Sequence, residues 1–128
     1  MTATDKRNII ATLIDWYAAI TRHDLAAVAD ALTAGFLIVE NDHILDTTAL
    51  LATLTAGVSE GYQTAELSDF DITISGDVAW STHRNDEVWY PSEGEPTPIT
   101  FLETVILLRH KSTWLIERYH ASVIGPNH

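Results

Sequence analysis

Residues 70–83, with the sequence FDITISGDVAWSTH, decide the fold more than any other stretch of the chain. Phe70, Ile72 and Ile74 alternate with polar residues, which is the period of a half-buried β-strand. Gly76-Asp77 is a two-residue turn signal, after which the chain returns in a second strand. The stretch therefore predicts an antiparallel hairpin.

The turn also predicts which side chains share a face of the sheet. With two residues in the turn, Ile74 lies opposite Ala79 and Phe70 lies opposite His83. The apolar strand positions should face a core. The second strand then directs four side chains to this inner face: His83, Asn85, Glu87 and Trp89.

Downstream of this hairpin, the segment PSEGEPTP at residues 91–98 reads as a loop, and two more strands follow. A turn at Lys111-Ser112 joins them, and centring the hairpin there pairs Glu103 with His120 and Val105 with Arg118. The opposite face of this hairpin is apolar, and no helix is left to cover it. A second copy of the chain is the economical cover, so we expect a homodimer. The residues on that face are Leu102, Thr104, Ile106, Leu108, Leu115 and Tyr119.

Upstream, the spacing of the apolar residues changes to that of helices. A first helix carries Ile9, Leu13, Trp16 and Ile20 on one face. Asp24 caps a second helix that reaches Leu32 and ends at Gly35, and Asp46 opens a third. The strand FLIVE at residues 36–40 lies between the second and third helices. Three helices and a long antiparallel meander predict a single α+β domain over residues 1–128.

Composition excludes several classes of protein. The chain has 128 residues, with 18 Asp and Glu against 7 Lys and Arg, and a formal charge of −11. Such a surface repels nucleic acids and anionic membranes. There is no cysteine, so thiolate chemistry and disulfides are absent. A polar start and the lack of a long apolar run predict a cytoplasmic location.

The chain resembles the nuclear transport factor 2-like superfamily, and within it the SnoaL-like and ketosteroid-isomerase-like branch. The resemblance rests on the order of four features over most of the chain, from about Asp5 to Ser122. They are the alanine-rich end of the first helix at Ala18–Leu25, the short strand 36–40 with the helix after it, the Gly76-Asp77 turn, and the ending Trp114-x-Ile116-x-x-x-His120-x-Ser122. This resemblance implies a cone-shaped curved sheet wrapped around three N-terminal helices, with an internal pocket and usually a homodimer.

The resemblance also assigns a role to Glu40, at the end of the short strand. In ketosteroid-isomerase-like enzymes, a carboxylate at this place is the general base that moves a proton next to a carbonyl. An apolar wall is needed to raise its pKa, and residues 36–39 are apolar. The alternative is that Glu40 is only the first solvated residue of a turn.

Glu103, His120 and His83 are the other candidate catalytic residues. Glu103 falls where the resemblance places a second acid, and a carboxylate beside an imidazole can form an acid/base unit. A buried ion cluster of Glu103 with Arg118 is the structural alternative. His83 can equally be a hydrogen-bonded core residue. We predict no metal site, although His83, Glu103 and His120 could converge as a two-His, one-carboxylate set.

One residue of the first helix departs from the isomerase pattern. Those enzymes use a tyrosine there as oxyanion donor, and counting back eight residues from Asp24 leads to Trp16. Tyr17 is adjacent but points about 100° away around the helix. An indole N–H is a far weaker acid than a phenol, which argues against true ketosteroid isomerase activity.

These residues predict a small-molecule pocket that needs no cofactor. The first hypothesis is general acid/base chemistry of isomerase, cyclase or dehydratase type on a small apolar carbonyl compound. The alternative is a non-catalytic ligand-binding or dimeric accessory module, and a structural dimerisation domain is least favoured. The expected ligand-binding residues are Trp16, Tyr17, Ile20, Phe36, Leu54, Phe70, Phe101 and Arg118.

Overall fold

The computed structural model describes residues 3–124 and contains three helices and six strands. The helices are α1 (Ala3–Thr21), α2 (Leu25–Asp30) and α3 (Thr47–Gly57). The strands are β1 (Leu32–Glu40), β2 (His43–Asp46), β3 (Gly61–Ser75), β4 (Val78–Pro91), β5 (Thr97–His110) and β6 (Thr113–Val123). The predicted α+β class is confirmed.

All six strands form one open sheet in the order β2-β1-β6-β5-β4-β3. The sheet is mixed, because β1 runs parallel to β6 while every other neighbouring pair is antiparallel. Helix α1 packs on the inner face, where it contacts β3 and β6. Within residues 3–124, no helix is both long enough and apolar enough to cross a membrane.

The two predicted helix caps are present, but the second helix is shorter than predicted. Asp24 accepts a hydrogen bond from the Ala27 amide at 3.2 Å, as an N-cap residue does. Helix α2 then ends at Asp30, and β1 begins at Leu32. Residues 32–35 therefore belong to a strand, because pairing with β6 outweighs the local helical pattern.

The β3–β4 hairpin keeps the predicted register at its turn, with Ile74 opposite Ala79. Further from the turn, Asp69 and Phe70 together lie opposite His83, which makes a β-bulge, and Asp69 adopts φ 58°. Phe70 still contacts His83, with ring centroids 5.0 Å apart. His83 is buried, as the hairpin register predicts.

The β5–β6 hairpin starts in the predicted register and then departs from it. Ile106 lies opposite Arg118, but Leu107 lies opposite Ile116, so Glu117 is an extra residue in β6. Every side chain of β6 after this bulge changes face relative to the prediction.

The predicted pairing of Glu103 with His120 is therefore wrong. Glu103 lies opposite Ala121, His120 is exposed, and Tyr119 is fully buried although it was predicted on the outer face. The bulge has a physical reason: without it, the guanidinium of Arg118 would enter the core. Instead, Arg118 donates to the Gly35 carbonyl at 2.7 Å at the sheet surface.

The two faces of the sheet differ in exposure. Trp114 and Ile116 are buried in the core, as the strand pattern predicts. On the other face, several large apolar side chains remain exposed, among them Trp80 at 41%, Leu102 at 52% and Ile106 at 37%.

Candidate functional site

A cavity of about 240 Å³ lies between α1, α3 and the inner face of the sheet. Its position follows from the fold, since α1 contacts β3 and β6 while α3 contacts β1 and β2. The apolar part of its wall consists of Trp16, Ile20, Ile38, Leu45, Leu50 and Leu54. The polar part consists of Tyr17, Glu40, His43, Thr53, Gln63 and Glu87. We call this the inner chamber.

Behind the inner chamber, Glu103 lies at the centre of a buried hydrogen-bond cluster. Its Oε1 accepts hydrogen bonds from the Tyr119 hydroxyl and from Nε2 of His83, the latter at 3.1 Å. Its Oε2 accepts from the Tyr17 hydroxyl at 3.0 Å and from Nδ2 of Asn85 at 2.9 Å. A carboxylate held by four donors is stabilised without contact with water.

His83 is held on both of its ring nitrogens. Nε2 contacts Glu103, and Nδ1 lies 2.9 Å from the Ser81 hydroxyl. Both side chains are essentially inaccessible to solvent, and neither lines the inner chamber. His83 therefore meets Glu103, as the sequence suggested, but in the core and not at the cavity surface.

Asn85 connects the buried cluster to the cavity wall. Its Nδ2 donates to Oε2 of Glu103 and to Oε2 of Glu87, the latter at 2.7 Å. The opposite orientation of the amide would place its carbonyl oxygen against two carboxyl groups, so electrostatics fixes this one. Its Oδ1 is left buried without a hydrogen-bond partner in the described part of the chain.

Glu87 also lines the chamber, and it is not among the residues that the sequence predicts to be catalytic. Burial raises its pKa to about 7. The negative charges of Glu103 and Glu40 raise this pKa further. Hydrogen bonds from Asn85 and from the Tyr17 hydroxyl lower it, but by less than burial raises it. The alternation of residues along β4 predicts Glu87 on the inner face of the sheet, together with His83, and this was the available signal in the sequence.

Glu40 lies on the wall of the same chamber, at the end of β1. Although the residue keeps an exposed side, partial burial raises the pKa of its carboxyl group. The charge of Glu103 raises it further, and His43 lowers it. His43 lies directly across the β1–β2 hairpin from Glu40 and contacts Asp42 at 2.7 Å.

The polar group that α1 contributes to this site is the hydroxyl of Tyr17 and not the indole N–H of Trp16. Trp16 donates its indole N–H to the Val28 carbonyl at 3.1 Å, so its donor is used within the core. Tyr17 points away from Trp16 around the helix, yet both are buried because the sheet and the other helices enclose α1 on several sides. Burial raises the pKa of Tyr17 well above its ordinary value, so the hydroxyl keeps its proton at neutral pH.

The other residues predicted to bind ligand have separate positions. Ile20 and Leu54 line the chamber with Trp16 and Tyr17. Arg118 contacts Gly35 and Glu117 at the sheet surface. Three phenylalanines lie outside the chamber wall: Phe36 and Phe101 are buried, and Phe70 packs on His83.

The alternative in which His83, Glu103 and His120 converge does not occur. His120 lies on the outer face, away from His83 and Glu103. Over residues 3–124, no group of three or more His, Asp or Glu side chains is placed to hold a metal ion.

This architecture, a mixed sheet around a helix with an acid-lined chamber, defines a class of small pocket-forming α+β proteins. A sequence model of the SnoaL-like domain matches residues 9–126. The chain belongs to the SnoaL-like family. No curated protein sequence matches it.

Solved structures share this fold at low sequence identity. A conserved protein from Planctomyces limnophilus has a TM-score of 0.90 at 16% identity, covering 96% of this chain and 98% of that one. An NTF2-like protein from Cytophaga hutchinsonii has a TM-score of 0.81 at 16% identity, covering 97% and 100%. A ketosteroid isomerase-like protein from Erwinia carotovora has a TM-score of 0.78 at 19% identity, covering 98% and 100%.

Proposed function

We propose that the protein catalyses proton transfer next to the carbonyl of a small apolar compound bound in the inner chamber. Glu40 acts as the base and Glu87 as the acid. The observation that carries this proposal is that two carboxyl groups line one largely apolar cavity. An apolar cavity with a few polar groups is typical of a small-molecule site.

The size of the chamber favours a compound of one or two rings. A buried apolar cavity of about 150 Å³ holds benzene. The inner chamber, at about 240 Å³, has room for a ring with a carbonyl substituent.

The two acids differ in the way that acid/base chemistry needs. Because the pKa of Glu87 is about 7, roughly half of these groups carry a proton at neutral pH. The pKa of Glu40 is raised too, chiefly by burial, but Glu40 keeps an exposed side, where solvation favours the ionised form. One group can therefore accept a proton while the other donates.

The proposed reaction begins when the Glu40 carboxylate takes a proton from the carbon next to the carbonyl. The electrons of the broken C–H bond form a C=C bond, and the carbonyl π electrons move onto oxygen. The protonated Glu87 donates a hydrogen bond to that oxygen. Return of the proton from Glu40 to the same or another carbon completes an exchange or an isomerisation.

The buried cluster has a supporting role in this proposal. The Tyr17 hydroxyl donates its hydrogen bond to Oε2 of Glu103, so we do not assign Tyr17 as the oxyanion donor. His83 and Glu103 have their hydrogen bonds satisfied within the core. They position Tyr17 and Asn85, which in turn contact Glu87.

The test is hydrogen exchange of cyclohexanone in D₂O, followed by ¹H NMR of the protons beside the carbonyl. We expect the protein to accelerate exchange, and Glu40→Gln and Glu87→Gln each to remove about 100-fold of it. Glu66→Gln, an exposed acid of β3, is the control and should leave the rate unchanged. Binding of ketones without any acceleration would refute catalysis and favour a non-catalytic ligand-binding module.

We also propose that the outer face of the sheet forms a homodimer. The support is the exposed apolar set Trp80, Leu102 and Ile106 on neighbouring strands β4 and β5. Ile106→Lys should give a monomer by light scattering at micromolar concentration, while Ala11→Lys, an exposed position of α1 on the opposite side of the sheet, should not. A wild-type monomer under those conditions would contradict the proposal.

A further inference from the structure

A second cavity adjoins the inner chamber on the side of β3 and β4. It has a volume of about 470 Å³ and shares four wall residues with the inner chamber: Ile20, Thr53, Leu54 and Gln63. Most of its remaining wall is exposed or half-buried, so it opens toward solvent. We call it the outer chamber. The two chambers are therefore neighbours that adjoin along these four residues.

An aromatic side chain forms the sheet side of the outer chamber. Trp89 lies at the far end of β4, opposite Gln63 of β3, and lines only this chamber. The ring of Trp89 fits there because Gly61 has no side chain. A Cβ at Gly61 would lie 3.1 Å from the Trp89 ring and 2.2 Å from the Tyr90 carbonyl oxygen. Gly61 also adopts φ 149°, a conformation that other residues rarely take.

The charges around both chambers select against anionic ligands. None of the seven Lys and Arg residues, all within the described part of the chain, lines either chamber. Three acids do so: Glu40 and Glu87 in the inner chamber and Glu60 in the outer one. A phosphate or carboxylate on a ligand would therefore meet three acids and no lysine or arginine.

We infer that the substrate is an uncharged, elongated compound in two parts, with its carbonyl end in the inner chamber and an apolar ring in the outer chamber against Trp89. This inference rests on the proposed function for the placement of the carbonyl end. Trp89 is then a specificity-determining residue. It should affect which ketones bind and not the proton-transfer step itself.

Three ketones with one reactive end test the inference: cyclohexanone, 4-phenylcyclohexanone and 4-(4-carboxyphenyl)cyclohexanone. Affinities are measured by ¹H–¹⁵N NMR titration of the protein, which does not depend on turnover. We expect the phenyl group to improve affinity by about tenfold or more, as burial of an aromatic ring does. The carboxylate should remove most of that gain.

Two variants remove the outer chamber in different ways. Trp89→Ala deletes its aromatic wall, and Ala56→Phe fills it from the exposed side of α3. Each should bring the affinity ratio of 4-phenylcyclohexanone to cyclohexanone close to one. Ile14→Ala, on the exposed side of α1 and outside both chamber walls, is the control and should keep the wild-type ratio. If Trp89→Ala fails to fold, the ratio in Ala56→Phe decides.

A ratio near one in the wild-type protein would overturn the inference, as would a carboxylate compound that binds as tightly as the neutral one. The proposed function fails separately, when Glu40→Gln and Glu87→Gln leave the exchange of cyclohexanone unchanged. Retention of the wild-type ratio in both chamber variants would also show that the ring lies elsewhere.

Discussion

Glu103 and Glu87 project from neighbouring strands toward the same side of the sheet, and Asn85 donates a hydrogen bond to each. Glu103 is enclosed by four donors and has no access to water. Glu87 is half-buried at a cavity wall, and the hydrogen bond from Asn85 does not offset the cost of burial. The difference teaches that the number of donors, and not burial alone, separates a structural acid from one that can exchange protons.

The largest expected effect is on the fully enclosed acid. Glu103→Ala should lower the free energy of unfolding by about 3–5 kcal/mol, because it leaves four buried donors without an acceptor. Urea unfolding followed by tryptophan fluorescence measures this. Glu66→Ala, at an exposed position of β3, should change stability by less than about 0.5 kcal/mol. A loss below about 1 kcal/mol for Glu103→Ala would show that the cluster rearranges without cost.

The second effect concerns pH and the acid at the cavity wall. The folded pKa of Glu87 is about 7 and the unfolded value is near 4.5, so the folded state holds the proton more tightly. Stability should therefore fall as pH rises from about 5 to about 7, by about 2 kcal/mol. Glu87→Gln cannot titrate and should lack this decrease. The free energy of unfolding is measured by urea titration at several pH values. The same decrease with pH in the wild type and in Glu87→Gln would contradict the assignment.

The smallest effect distinguishes the two tyrosines that donate to Glu103. Tyr17 also interacts with Glu87 and lowers its pKa, whereas Tyr119 donates its hydroxyl proton to Glu103. Tyr17→Phe should therefore raise the pKa of Glu87, and Tyr119→Phe should leave it close to the wild-type value. The measurement is ¹³C NMR titration of the glutamate side-chain carboxyl groups. Equal shifts in both variants would mean that Glu103, and not Tyr17 directly, transmits the change.

The sequence by itself determined the inner face of β4 and β5. A two-residue turn at Gly76-Asp77 and strict alternation fix strand phase locally, so His83 and Glu103 were placed correctly in the interior. The caps Asp24 and Asp46 were equally local, since each side chain binds an amide three residues away. Such features depend on neighbours in the chain, which a sequence displays directly.

The tertiary structure alone decided the remainder of the candidate site. The bulge at Glu117 places Tyr119, and not His120, in the interior. Its only signal in the sequence is the three-residue spacing between Ile116 and Tyr119. The hydroxyl of Tyr17 reached Glu103, 86 positions along the chain, because α1 is enclosed on more than one side. The pKa of Glu87 is raised because this partly buried acid has fewer hydrogen-bond donors around it than Glu103 has. Bulges, enclosure and donor counts arise from contacts between distant segments, and alternation along one strand does not encode them.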